Sequence, residues 1–256
     1  MIGSSKNPET SKPESGSEAL LDIREQVVSC RRCPRLVEYR ELVARTKRKE
    51  FENWEYWAKP VPGFGDPRAS LLIVGLAPAA HGGNRTGRVF TGDRSGDFLY
   101  RALYKAGFAN QPLSVCRTDG LRLEKAYVTA AVKCAPPDNK PSPRETLNCS
   151  SYLDAEIDSF EGLKVILCLG QFAFKVVATA LRNKYAAGLV RASFAHGRVW
   201  SLGQGIPKVI CSYHPSPRNT QTGKLTESML VKVLRTARRH SRPAKHVGHQ
   251  PGESAC

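Results

Sequence analysis

Residues 71–87 read LLIVGLAPAAHGGNRTG: four apolar side chains in a row, then a loop of glycine, alanine and proline that turns polar. An unbroken apolar run too short for a helix is the pattern of a strand covered on both faces, as in a parallel sheet. Residues 127–132 (YVTAAV), 165–169 (VILCL) and 209–211 (VIC) repeat it. Helical patterns lie between and after these runs. Residues 97–106 place Phe98, Leu99, Ala102 and Leu103 on one stripe. Ser142, Pro143 and Glu145 supply the N-cap, first-turn proline and capping-box acid of a helix running to about residue 160. Residues 171–182 and 225–239 are two further helices, and 20–42 is an amphipathic helical preface broken by a cysteine pair. Strands alternating with helices predict an α/β fold, a central, mostly parallel four-stranded sheet flanked by helices.

Ligands of such sheets bind at the carboxyl ends of the strands. The unusual segments of this chain all begin there: 75–87 after the first strand, 134–140 after the second and 214–220 after the fourth. Three polar, Gly- or Pro-rich loops therefore converge on one rim, which is the expected site.

Residues 1–17 and 241–256 lack apolar periodicity and are expected to be disordered, leaving one domain over 18–240. No run approaches the roughly 20 apolar residues of a membrane helix, and the first residues, MIGSSKNPET, hold no apolar stretch of a secretory signal. Lys and Arg number 39 against 23 acids, a formal charge of +16 that points to a polyanionic partner such as nucleic acid. Eight cysteines without a signal argue for metal or cluster ligation over a disulfide framework.

Cys30-Arg31-Arg32-Cys33-Pro34 is a C-x-x-C closed by proline, and Cys134 and Cys149 form a second, wider pair. Four thiolates suit tetrahedral zinc or an iron–sulfur cluster, and the spacing leaves both open. Cys168 and Cys211 lie inside apolar strands and read as small core residues; Cys116 and Cys256 are not ligand candidates. The first loop has few Cβ atoms, so a flat ligand can approach its backbone, with Gly75, Ala77, Ala80 and His81 the candidate contacts. It lacks the Lys-Ser/Thr of a P-loop. Its continuation, residues 88–97 (RVFTGDRSGD), offers Phe90 for stacking on a base and Asp93 as a reactive acid. Helix capping is the competing role for both Asp93 and Asp97, and the stripe starting at Phe98 assigns the cap to Asp97. His214, at a strand end and followed by Pro215-Ser216-Pro217, is favoured as a functional histidine.

The segments GLAPAAHGGNRTGRVFTGDRSGDFL and YHPSPRNTQTGKLT resemble the two signature regions of the uracil-DNA glycosylase superfamily, its family 5 in particular. That family is the broad-specificity iron–sulfur type of archaea and some bacteria, and the resemblance spans nearly all of residues 20–240. It implies a 4Fe–4S cluster on Cys30, Cys33, Cys134 and Cys149. It makes Phe90 the ring that stacks on the flipped base and His214 the contact to the base carbonyl. Asp93 becomes the catalytic acid, and Asn139 a polar group near the sugar and the attacking water. The segment 216–224, headed by Arg218 and Asn219, is expected to enter the duplex. Ala130 stands where relatives place a base-reading Asn, which implies looser base recognition. The resemblance further implies DNA containing uracil or other deaminated bases as partner, a monomer without membrane association, and a cytoplasmic, nucleoid-associated location in a prokaryote. The rival reading is a non-enzymatic iron–sulfur protein that binds nucleic acid and senses oxidation. It would not need Asp93, Asn139 and His214 on three separate loops.

Overall fold

The computed structural model describes residues 16–185 and 192–242. The chain enters through helices α1 (Gly16–Ser29) and α2 (Pro34–Thr46), then forms strands β1 (Phe64–Gly65) and β2 (Leu71–Gly75). A short α3 (Gly83–Thr86), α4 (Arg94–Lys105), β3 (Ala126–Ala130) and α5 (Pro143–Ser159) follow. The rest is β4 (Val165–Leu169), α6 (Gln171–Tyr185), β5 (Val199–Trp200), β6 (Lys208–Ser212), α7 (Pro217–Gln221) and α8 (Glu227–Ser241). Apart from Gly16 and Ser17, which open α1, and Ser241 and Arg242 at the end of α8, the two expected tails lie outside the described residues. Among the described residues no helix is long and apolar enough to cross a membrane.

The sheet has six strands in the order β1-β3-β2-β4-β6-β5. The four central ones are parallel and coincide with the four apolar runs of the sequence. The expected four-stranded sheet is thus corrected by β1 and β5, two antiparallel edge strands of two residues each. Two residues cannot display a period, so no apolar pattern announces them.

Both faces of the central strands are covered. Leu71, Ile73, Val165 and Leu167 point to a core shared with Leu99, Tyr100 and Leu103 of α4 and Leu230, Val233 and Leu234 of α8. Leu72, Val74, Ile166 and Cys168 point the other way, onto Ile23 and Val27 of α1, Leu153 and Ile157 of α5 and Phe174 and Val177 of α6. Each such side chain removed from water contributes about 1.5–3 kcal/mol, and this double burial is why the runs lack polar alternation. The polar exception, Thr129, is fully buried beside an ion pair. Lys133 Nζ donates to Glu156 Oε2 at 2.8 Å and to Thr129 Oγ1 at 2.6 Å, tying the end of β3 to α5.

From β2 the chain moves to β3 on one side and then returns to β4 on the other. The loops leaving β2 and β4 therefore diverge to opposite faces, and a crevice opens beyond the strand ends between them. Helix α5 starts as the sequence requires: Ser142 Oγ accepts the Glu145 N–H at 3.2 Å, and Glu145 Oε2 accepts the Ser142 N–H at 2.7 Å. Helix α4 starts four residues earlier than its apolar stripe indicates, with Asp93 rather than Asp97 as the N-cap, so the assignment of the cap to Asp97 is corrected.

Replacing Lys133 by Met would leave the Glu156 carboxylate buried and uncompensated. We expect a loss of about 3–5 kcal/mol of unfolding free energy in urea titration; a loss below about 1 kcal/mol would show that the pair is not needed to hold β3 to α5.

A strand-end cleft and a cysteine cavity

A cleft of about 1060 Å³ lies beyond the carboxyl ends of the parallel strands. The loop after β2 contributes Ala77, Ala80 and His81 to its wall, the segment before α4 contributes Phe90 and Asp93, the loop after β3 Asn139, and the loop after β6 His214. The convergence expected from the strand-end loops is present. Gly75, Arg218 and Asn219 are not part of the wall. Gly75 lies under it: a Cβ there would overlap the Phe90 ring, so glycine lets that ring rest on the strand end. Asn219 acts on the backbone, its Nδ2 donating to the His214 carbonyl at 2.8 Å, and Arg218 is exposed on α7. Ala130, 2% exposed, is core beside Gly75 in register rather than cleft wall.

Asp93 Oδ1 accepts two backbone N–H groups of the first turn of α4, Ser95 at 2.9 Å and Gly96 at 3.0 Å. Oδ2 lies against Gly82, where any Cβ would overlap it. Burial pushes the carboxyl above its usual range, and the two N–H bonds pull it part of the way back. A partly desolvated carboxylate held rigidly at a helix N-terminus is poised for work on a developing positive charge.

The loop around it is tied by buried cations that the sequence pattern does not single out. Arg85 Nε donates to the His81 carbonyl at 2.8 Å and its Nη2 to the Gly92 carbonyl at 2.9 Å. The guanidinium packs on the rings of Phe51 and Trp54, 3.8 and 4.1 Å from their centroids. Arg88 makes a two-pronged pair with Asp119, 2.9 and 2.6 Å, and reaches Thr91 and Ser114. Burial alone would raise the Asp119 carboxyl, but Arg88 and backbone N–H groups bring it down to about 2. Phe90 holds φ at 51°, an uncommon conformation for a side chain of its bulk, and keeps its ring 5.8 Å from that of His214. His81 Nδ1 lies 3.0 Å from the Tyr56 hydroxyl. Asp138 and Asn139 both take left-handed φ values, 53° and 55°, which turn the chain sharply and leave Asn139 exposed at the cleft rim.

Cys30, Cys33, Cys134 and Cys149 line a second, small cavity between α1, α2, the β3 loop and α5. Among the described residues no three His, Cys, Asp or Glu side chains stand in a set that could hold a single metal ion. The four thiols line that one small cavity together. Arg40, 2% exposed, donates to Cys134 Sγ at 3.0 Å and to the Cys30 carbonyl at 3.5 Å, while its Nε finds no partner among the described residues, and Asn148 Nδ2 approaches Cys33 Sγ at 3.4 Å. A buried guanidinium turned to sulfur, with no carboxylate paired to it among the described residues, calls for negative charge in that cavity. The four thiols and the buried cation turned toward them fit a thiolate-bound group.

Surrounding protein pushes the His214 imidazole down to about 4 by desolvation. An unfolded chain would protonate it near 6.5. Between those values the unfolded state binds more protons, so stability falls as pH drops through this window, and at neutral pH the ring is uncharged. In a 15N-labelled imidazole titration, the His214 signals should stay those of a neutral ring down to about pH 5. A midpoint near 6.5 would mean that the ring is solvated like a surface histidine.

The model of the uracil DNA glycosylase superfamily matches residues 62–238. A type-5 uracil-DNA glycosylase of Mycobacterium tuberculosis is 49% identical over 225 residues, 88% of this chain and 82% of the relative. One from Pyrobaculum aerophilum is 47% identical over 216 residues, covering 84% and 91%, and one from Thermus thermophilus is 46% identical over 213 residues, covering 83% and 94%. With two-thirds of its length matched by the family model and nearly all of its described fold aligned to these relatives, the chain belongs to the uracil DNA glycosylase superfamily, in its type-5 group.

Proposed function

We propose that this chain excises uracil from DNA in base-excision repair, hydrolysing the N-glycosidic bond of a nucleotide flipped out of the helix. The observation that carries the reading is the sharing of one strand-end cleft by a half-buried, N–H-bonded carboxylate, an aromatic ring and a neutral histidine. An enzyme that works on a base must first take it out of the stack. Phe90, fixed on Gly75, would offer its face to the flipped base, and the neutral His214 imidazole would donate an N–H to a base carbonyl. As the C1′–N1 bond breaks, its electron pair leaves with the base and positive charge develops on the sugar. Asp93 would stabilise that cation, and Asn139 at the rim would hold the water that adds to C1′. The charge of +16 supplies the attraction for the phosphates.

Ala77, Ala79 and Ala80 line the wall, and the side-chain amide there, Asn139, stands exposed at the rim. Strong rejection of a wrong base requires that it leave buried polar groups unpaired, so the reading extends to other deaminated bases, hypoxanthine among them. The four cavity cysteines would hold a 4Fe–4S cluster, whose iron–thiolate bonds, when formed, cross-link the N-terminal helices to the β3 loop. Arg40 would balance its negative charge.

Three measurements test this. Uracil-containing oligonucleotides incubated with the protein and then treated with alkali should be cut at uracil, and at hypoxanthine more slowly; a protein that only binds DNA leaves both intact. Asp93→Asn separates the two roles of that residue, since Asn caps a helix as well as Asp does and removes a buried charge. Its melting temperature should hold or rise while the single-turnover rate falls by about 10²-fold or more, and an unchanged rate would leave Asp93 a cap alone. Arg40→Met, purified anaerobically, should retain less iron and sulfide per chain and bleach faster in air than the parent protein. Equal retention would remove the guanidinium from the account of the cavity.

A further inference from the structure

The helices over the two faces of the sheet differ in charge. On one face α1, α5 and α6 carry seven acids against five cations. On the other, α4 and α8 carry seven cations against two acids, and the single acid of α8, Glu227, stands in its first turn. Two side chains of α4, Arg101 at 3.4 Å and Lys105, already engage that carboxylate. The excess gathers on one stripe. Leu230, Val233, Leu234 and Ala237 of α8 are buried, and at about 3.6 residues per turn Lys232, Arg235 and Arg239 fall on the opposite side, where all three are exposed. Among the described residues none of the three pairs with a carboxylate. A helix face that serves only solubility mixes the two signs. Like charges three and four residues apart oppose the helix, and its end field favours cations only in the last turn, where Arg239 stands but Lys232 and Arg235 do not. At the foot of the stripe Lys208 Nζ lies 3.2 Å from His240 Nδ1, and burial together with Lys208 and Arg239 holds that imidazole below its usual range.

We propose that the outer face of α8, through Lys232, Arg235 and Arg239, holds the phosphate backbone of a second segment of duplex DNA while the cleft engages the first. Position separates the two contacts. The cleft lies at the carboxyl ends of the strands, whereas the stripe descends to Lys208, which opens β6 at the amino ends. A five-residue strand is about 16 Å long, so a straight duplex seated on the cleft leaves the foot of the stripe behind it. From Lys232 to Arg239 the stripe rises about 10 Å, and duplex DNA carries a charge every 1.7 Å or so of its axis, so the three cations meet several phosphates at once. Such contacts carry no base sequence. They suit undamaged DNA, and they let the protein pass from one segment to another without a free interval in solution.

This second contact presupposes the DNA reading of the cleft, and excision measured separately keeps the two distinguishable. Protein carried on a fluorescent, uracil-free duplex is mixed in a stopped flow with rising concentrations of the same duplex unlabelled. Transfer through the stripe speeds release as the acceptor rises, whereas release into solution does not depend on it. A roughly tenfold rise in acceptor should speed release of the parent protein by at least about threefold. For Lys232→Gln/Arg235→Gln/Arg239→Gln the rate should be independent of acceptor, and the melting temperature should hold or rise because like-charge repulsion is lost. Arg24→Gln/Lys175→Gln/Arg182→Gln, which removes as much charge from α1 and α6, should keep the dependence, as should Arg235→Lys/Arg239→Lys. Single-turnover excision of uracil from a short duplex should stay within about twofold of the parent in the stripe variant. An acceptor dependence that the stripe variant keeps, or that the α1 and α6 variant loses equally, overturns the second contact. So does excision that falls with transfer, which would put the three side chains to work at the cleft. Polyglutamate that speeds release as well as duplex does at equal charge overturns the choice of DNA in favour of an acidic protein. A parent protein that neither binds duplex nor excises uracil refutes the reading of the cleft itself.

Discussion

The Asp93 carboxylate accepts the first free N–H groups of α4 and rests on the bare Cα of Gly82, and much of the cleft is arranged around that contact. Taking a carboxylate out of water is costly unless N–H dipoles meet it, and a helix N-terminus presents unpaired N–H groups with the right sign of field. The two needs are met together. Helix α4 gains its cap, and the cleft gains a charge that is held still and desolvated. Because the acid starts the helix, its position is set by the packing of Leu99, Tyr100 and Leu103 in the core rather than by the loop it ends.

The loops that form the cleft are held by buried cations more than by apolar packing. Segments 75–92 and 111–121 carry few large hydrophobic side chains, so their carbonyls need donors from elsewhere. Guanidinium groups supply five donors each in a fixed plane. Arg85 ties the His81 carbonyl to that of Gly92, and Arg88 ties Asp119 to Thr91 and Ser114. The strained φ of Phe90 is affordable in that frame, with Tyr100 Oη donating to the Val89 carbonyl at 3.0 Å beneath it.

The cysteine cavity and the cleft are separate, yet one side chain links them. Asn84, 1% exposed in α3, donates to the Arg40 carbonyl at 3.2 Å, while the Arg40 guanidinium faces Cys134. The Asn84 carbonyl in turn accepts the Ala58 N–H at 3.0 Å. The first cleft loop is thereby buttressed against α2, and whatever firms the cysteine cavity firms that loop.

The four parallel strands, the capping box at Ser142 and the strand-end location of the site were legible in the residues, because each depends on local pattern or on burial of both faces. The wall positions of Ala77, Ala80, His81 and His214 were legible for a related reason, each following closely on a strand end, whereas Phe90, Asp93 and Asn139 lie further along their loops and were singled out by side-chain chemistry and by the family resemblance. The apolar stripe from Phe98 placed the start of α4 too late, since a stripe marks where a helix packs and not where its hydrogen bonds begin. Gly75 reads as a ligand contact and Ala130 as the position where relatives carry a base-reading Asn, yet strand register places Ala130 in the core and Gly75 under Phe90. Tertiary structure alone decided the edge strands, the buried Arg40 turned to the four thiols, the clamps of Arg85 and Arg88, and the exposure of Leu113 and Val115. Each of these joins residues distant in sequence, or depends on which side of a loop meets solvent, and no local period encodes a long-range partner.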